Sequence, residues 1–329
     1  MGETEEARFS VVEGWEQLPP GVTHLDCVGV DTDANDNLHV LTREQHQVLV
    51  YDRDGRFLRS WGEELFEAGR PHGLRISPEG RVYLVDDVAH CVIVTTLAGK
   101  VIQTIGMPGV SSDTGYDGHT LESITGGPPF NAPTNLAIGP TGDLFISDGY
   151  GNCKVHRFRA SGELVRSWGV PGTGPGQFNL PHGIAVTMDG RILLADREND
   201  RIQVFDADGS CLAIWDDVQR PTNIDIDAEG RIYVAELWRR VGQTSYTRGE
   251  TTVDMPGRVS VLDTNGRVIT RFGASSEERA AAGNFVAPHD VCVDSRGDLY
   301  VAEVTQTFGV RGGGVPAGAH SLQKFARKK

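Results

Sequence analysis

The sequence predicts an all-β fold, one closed six-bladed β-propeller, and three observations carry that prediction. The first is a unit seen most plainly between Asn179 and Asn199. There Pro181-His182 opens an apolar alternation, the chain turns at Asp189-Gly190, and a second apolar run ends on Asp196-Arg197. Turn residues between two short apolar runs make a β-hairpin. The second is its recurrence: in five copies the residue after the first Pro (His72, Thr134, His182, Thr222, His289) lies 14 positions before an acid (Asp86, Asp148, Asp196, Glu236, Glu303). The third is composition, since 41 Gly and 16 Pro with few long helical periodicities favour a chain of many turns.

Taken in order, Phe9-Ser10-Val11-Val12 is a short strand ended by Pro19-Pro20, suited to join the last blade of a closed ring. The first repeat begins near Asp26, turns between Asp33 and Asn37, and returns through Leu38 to Arg43. Two further strands follow it, Gln47 to Asp52 and Phe57 to Gly62, giving four strands per unit as a blade requires. Later repeats open at Pro71, Pro133, Pro181, Pro221 and Pro288, the last closing on Leu322 to Phe325. A blade cannot bury its faces alone, so residues 23–329 form one domain, preceded by an N-terminal segment over residues 1–22. Three insertions, Gly106 to Phe130, Leu237 to Gly257 and Thr305 to Ala319, read as loops covering one face of the ring.

The net charge of -14 argues against a nucleic-acid partner, because phosphate binding needs a basic field. No apolar run approaches the roughly 18 residues of a membrane span. The acidic start, Met1 to Glu6, lacks the basic and apolar regions of a signal peptide, so the expected compartment is cytoplasmic. Five cysteines without paired spacing read as reduced, mostly buried thiols.

The position after the Pro carries the candidate chemistry. Repeats two, four and six place His72, His182 and His289 there, while three and five place Thr134 and Thr222, and the first repeat aligns Asp26. If this position opens the innermost strand, imidazoles from alternate blades meet at the axis and hold one cation with an open fourth site, as in a catalytic zinc centre. The bland alternative is that each Pro-His caps a strand. His24, His39, His46, His90, His119, His156 and His320 lack this register and read as surface or packing residues. A second cluster follows the inner hairpin: Arg43 and Arg197 stand one residue past the acid position, and Tyr150 two residues past Asp148. These loops reach the side of the histidines only if the chain crosses back over the axis. There, two arginines would bind a carboxylate and the tyrosine would serve as acid or base; otherwise each arginine makes an interblade ion pair.

The copies Pro181-His182-Gly183-Ile184 and Ala195-Asp196-Arg197-Glu198-Asn199 resemble the NHL repeat. Together with Pro71-His72-Gly73-Leu74, Ser147-Asp148-Gly149-Tyr150 and Pro288-His289-Asp290, they resemble the lyase domain of the peptidylglycine α-amidating enzymes. That resemblance implies cleavage of a peptidyl-α-hydroxyglycine or similar carbinolamide. It further implies zinc on His72, His182 and His289, Tyr150 as general base, and Arg43 and Arg197 orienting the substrate. A structural calcium would rest on the carbonyls of Val28 and Leu74 and on Asp290. The sequence departs from the family where Gly151 replaces a Cys and where Arg43 lies in Thr42-Arg43-Glu44-Gln45. The expected partner is a small-molecule or short-peptide substrate bearing a carboxylate. Two competing readings stand beside the lyase: another metal-dependent hydrolase or hydratase on this scaffold, and a non-enzymatic NHL binding module.

Overall fold

The computed structural model describes residues 8–44, 47–66, 69–275 and 277–328. It is a six-bladed propeller in which each blade is a four-stranded antiparallel sheet. Blade 1 comprises Cys27–Thr32, Leu38–Thr42, Val48–Tyr51 and Phe57–Trp61, and blade 2 Pro71–Ile76, Arg81–Asp86, Cys91–Thr96 and Val101–Gly106. Blades 3, 4 and 5 open on Pro133–Ile138, Pro181–Val186 and Pro221–Ile226. Blade 6 opens on Pro288–Val293 and continues through Leu299–Glu303 and Leu322–Lys328. Its outermost strand is Arg8–Val11, which pairs antiparallel with Leu322–Lys328 and so ties the chain's start to its end.

The first strands pack side by side around the axis. Their apolar residues serve both blade faces, and the buried apolar side chains accordingly divide into six clusters, one at each blade interface among the described residues. Between blades 1 and 2, for example, Val28 and Leu41 meet Leu74, Val82 and Leu84. Packing between two blades buries a strand on both faces, so Leu38–Thr42 and Ile192–Asp196 are buried at every position and are apolar at most of them. Farther out, Trp61, Trp168 and Trp215 each close over a glycine of the following blade. Gly99, Gly209 and Gly266 take φ of 83°, 81° and 80°, and a Cβ there would lie 2.7, 2.7 and 2.2 Å from the indole.

The cysteines are free, four of them buried and Cys211 half-buried. No helix among the described residues is long and apolar enough to cross a membrane.

Candidate metal centre

The acids at the end of each second strand hold the ring's inner wall in place. Asp148 accepts the backbone N–H of Asn131, Asp196 that of Asn179, Glu236 that of Gln219 and Glu303 that of Val286, while Asp86 takes Arg70 N–H. Each fastens the segment leading into its own inner strand, so the constant 14-residue offset is a folding signal.

Just inside that fastening, the inner hairpin of every blade has a register shift: at Cys27/Gly29, Pro71/Gly73, Pro133/Asn135, Pro181/Ile184, Pro221/Asn223 and Pro288/Asp290. A bulge re-aims the extra residue, here the one after the Pro, out of the ladder. Neighbouring strands then come close. A Cβ on Gly183 would lie 2.4 Å from the Thr222 carbonyl oxygen. In blade 1 the pair Cys27↔Thr42 places Val28, not Asp26, at the histidine-equivalent position. The Asp26 alignment is thus corrected. With no Pro to mark this repeat, the nearby acid attracted the alignment, although the offset of 14 from Thr42 points to Val28.

The three imidazoles converge. Ring centroids of His72, His182 and His289 stand 4.8, 4.9 and 5.0 Å apart, and all three residues are buried. The intervening blades orient them: Nδ1 of His72 bonds the Thr134 carbonyl at 2.6 Å, His182 the Thr222 carbonyl at 2.7 Å, and His289 the Val28 carbonyl at 2.8 Å. A carbonyl only accepts, so each Nδ1 carries the proton and each Nε2 lone pair is left for the axis. Burial, together with the surrounding positive charge, drives His72 and His182 well below the ordinary histidine range and His289 down to about 3. All three are therefore neutral near pH 7, the form that ligates a metal. His289 Nε2 is buried without a hydrogen-bond partner, a cost of about 1–3 kcal/mol that an ion would remove. This donor set fits a metal ion, and its side chains lie close enough to share one.

Tyr150 closes the cup. Its hydroxyl lies 3.0 Å from His72 Nε2 and 3.2 Å from His182 Nε2, and Arg197 Nη1 donates to it at 3.4 Å. Arg43 approaches from blade 1, with Nη1 3.8 Å from Asp26 and a buried Nε that finds no partner. Its charge is among those depressing all three histidines. The expectation that the chain must cross the axis to bring these loops to the histidines is overturned. In an antiparallel hairpin the start of the first strand lies beside the end of the second, as Pro71↔Asp86 and Pro181↔Asp196 show.

Sequence reading passed over several members of this face. Arg70, which reaches Asp87 through Nε at 2.9 Å and through Nη2, adds a third guanidinium acting on His289. Glu198 accepts from Arg197 Nε at 2.9 Å and Arg220 Nη2 at 2.8 Å, with Arg239 Nη2 at 3.6 Å. Burial pushes Glu198 up, but these three guanidinium groups prevail and hold it down to about 2. The signal for Glu198 was its place beside Arg197; nothing in the sequence pairs it with residues 220 and 239.

The insertions gather around the same mouth. Thr114 in the first donates to the Gly151 carbonyl beside Tyr150. The second lies over blade 4, where Tyr246 N–H donates to the Glu198 carbonyl, and its Tyr246 hydroxyl meets Glu122 of the first. Arg240 of the second bonds the carbonyls of Phe308 and Gly312 in the third.

Other histidines pack or cap. His156 is buried against Asp148, His24 bonds Glu16 and Ser321, and His320 bonds Glu303. His46 lies outside the described residues.

Deeper along the axis, Asp31, Asp225 and Asp290 face one guanidinium, that of Arg75, at 3.6 Å from Asp31 and 3.3 Å from Asp225. Burial, against the pull of Arg75, raises Asp290 to about 7. Asp290 accepts the N–H groups of Val30 and Val291 and the side-chain amide of Asn223, and the Val28 carbonyl accepts His289 Nδ1–H, so each retains a further lone pair. An excess of buried carboxylate with carbonyl oxygens nearby suits a hard, oxygen-seeking cation.

Residues 178–205 match the family model of the NHL repeat. The chain is 29% identical to NHL repeat-containing protein 3 of Homo sapiens over 322 residues, which covers 92% of this chain and 83% of that protein. It is 25% identical to peptidyl-alpha-hydroxyglycine alpha-amidating lyase 1 of Drosophila melanogaster, covering 80% of this chain and 47% of the relative. Among solved structures, a streptogramin B lyase superposes with a TM-score of 0.61 at 12% identity, over 97% of this chain and 98% of the other, a likeness of fold.

Proposed function

We propose that this chain, an NHL-repeat six-bladed propeller similar to the α-amidating lyases, is a metal-dependent lyase that breaks the C–N bond of a carbinolamide. The substrate class is a peptidyl-α-hydroxyglycine or a smaller α-hydroxy metabolite carrying a carboxylate. One observation carries this reading: three neutral imidazoles share a centre and Tyr150 Oη lies against two of them, with Arg197 on that same oxygen. His72, His182 and His289 would hold zinc, which when bound supplies Lewis-acid polarisation of a hydroxyl group.

The remaining work falls to the chain's own groups. Arg197 and Arg43 bind the substrate carboxylate by charge-assisted hydrogen bonds and fix the carbinol carbon over the cup. Tyr150 Oη, acting as the phenolate, takes the carbinol proton. The C–O bond becomes a carbonyl as the C–N bond breaks, and Tyr150 returns that proton to the departing nitrogen, giving an amide and glyoxylate. No electron acceptor is required. Asp290, with the Val28 and Leu74 carbonyls, would hold a structural calcium.

Elemental analysis tests the metal: about one zinc per chain in the native protein and close to none in His182→Ala is expected. Incubation with α-hydroxyhippurate tests the reaction, benzamide and glyoxylate being the expected products. Metal without turnover points to a hydrolase or hydratase, and absence of stoichiometric metal to a binding module. Calcium is tested by melting with calcium or EGTA: a stabilisation by calcium that Asp290→Asn abolishes is expected.

A further inference from the structure

We propose that Glu198 is a positioning residue: it sets the aim of Arg197 and makes that aim depend on the insertion over residues 237–257. The inference rests on the reading that Arg197 binds a substrate carboxylate.

Glu198 is buried at the wall of the cup, in the short turn Arg197–Asn199 that follows the inner hairpin of blade 4. It takes Arg197 by Nε, the side of the guanidinium away from the cup, while Nη1 of the same group meets Tyr150 Oη. A flexible arginine is thereby held at both ends. The carboxylate also receives Arg220 of blade 5, whose Nη1 donates to the Trp238 carbonyl. Arg239, inside the insertion, completes the group: its Nη2 lies 2.9 Å from Asp200 and its Nη1 donates to the Thr244 carbonyl. Three guanidiniums thus share two carboxylates, Glu198 and Asp200, leaving one positive charge in excess, and Arg197 is the member that faces the histidines.

The insertion grips the same turn directly. Tyr246 N–H donates to the Glu198 carbonyl, and Thr247 Oγ1 to that of Asn199. The turn's path does not depend on the Glu198 side chain, because Arg197 N–H and Glu198 N–H bond the carbonyls of Leu180 and Asn179. Without its charge, Arg197 keeps its backbone but loses its aim and is repelled by Arg220 and Arg239.

The test compares Glu198→Gln with wild type, both zinc-loaded, on α-hydroxyhippurate and on the neutral carboxamide analogue of that compound. Loss of a charge-assisted contact predicts a fall in kcat/KM of roughly 10- to 100-fold on the acid, mostly through KM, and less than about threefold on the carboxamide. Glu198→Asp should recover part of the loss. Zinc content should match wild type, and although loss of a charge shared by three buried guanidiniums lowers the melting temperature, the variant should remain folded at the assay temperature. An equal loss on both compounds, or a loss that follows zinc content or unfolding, overturns the proposal. Calorimetric binding of hippurate and hippuramide to the zinc-loaded proteins needs no turnover, so it separates this proposal from the reaction. Selective weakening of hippurate in Glu198→Gln supports the positioning role even if nothing is cleaved, whereas wild type that does not favour hippurate over hippuramide overturns it.

Discussion

At the scale of single residues, the site depends on which atom of each side chain is already engaged. The Nδ1 bonds of His72, His182 and His289 to Thr134, Thr222 and Val28 leave only Nε2 for an ion, so the alternation of His with Thr or Val around the ring sets the orientation of the histidines as well as their number. Tyr150 touches two of those Nε2 atoms, and we expect Tyr150→Phe to keep its zinc while slowing release of glyoxylate by roughly 10²- to 10⁴-fold, the usual value of a positioned proton acceptor. Zinc analysis beside a single-turnover rate checks this; loss of metal with the hydroxyl would make Tyr150 a structural residue. The histidines were legible in the sequence because each follows a Pro at a repeating position. The resemblance offered the Val28 carbonyl to a calcium, but its bond to His289 Nδ1 was not legible, since any residue offers a backbone carbonyl. Arg220 and Arg239 were equally hidden, because their meeting with Glu198 spans 22 and 41 positions and comes only from the curvature of the ring.

At the scale of elements, the hairpin and its acid are the repeated device. Asp196 collects Asn179 N–H at 2.9 Å, Asn199 Nδ2 at 2.7 Å, Arg201 Nε at 2.8 Å and Gln203 Nε2 at 3.0 Å. Asp196→Ala leaves the buried Arg201 charge with carbonyl partners but no carboxylate, and we expect a loss of about 3–5 kcal/mol in chemical denaturation. A cost below about 1 kcal/mol would mean that the acid marks the repeat without supporting it. The outer strand Arg8–Val11 is a second such element: Phe9 stacks on Phe272 at 5.4 Å and meets the Tyr233 ring edge-on at 6.0 Å. Removing residues 1–12 exposes the edge of Leu322–Lys328, and a drop in melting temperature on the order of 10 °C, with aggregation, is expected. Strands of this kind were readable from their apolar runs and turns. The way the insertions interlock was not, because Arg240 with Phe308, and Tyr246 with Glu122, join segments that carry no periodicity.

At the scale of the whole molecule, the axis is where the blades are tied together and where charge is least balanced. Asp31 of blade 1 accepts the Ile76 N–H of blade 2, Asp290 of blade 6 the Val30 N–H of blade 1, and Asp225 of blade 5 the Val293 N–H of blade 6. Each carboxylate joins two neighbours, and Arg75 is the guanidinium that all three share. Burial raises Asp225 from 3.8 to about 6, with the nearby Asp31 adding to the rise and Arg75 opposing it. A carboxyl whose pKa is raised on folding binds more protons folded than unfolded between those two values. Its contribution is therefore full below about 4 and is lost as the pH climbs through about 6. Asp225→Asn keeps an acceptor for Val293 but cannot ionise. With EGTA present throughout, the stability of wild type relative to Asp225→Asn should fall by on the order of 2–3 kcal/mol between pH 4 and pH 7 and stay level above. Histidines that titrate elsewhere cancel in this difference. A difference that rises with pH instead would mean that the ion pair with Arg75 outweighs burial, and that the axial acids strengthen the ring as they ionise.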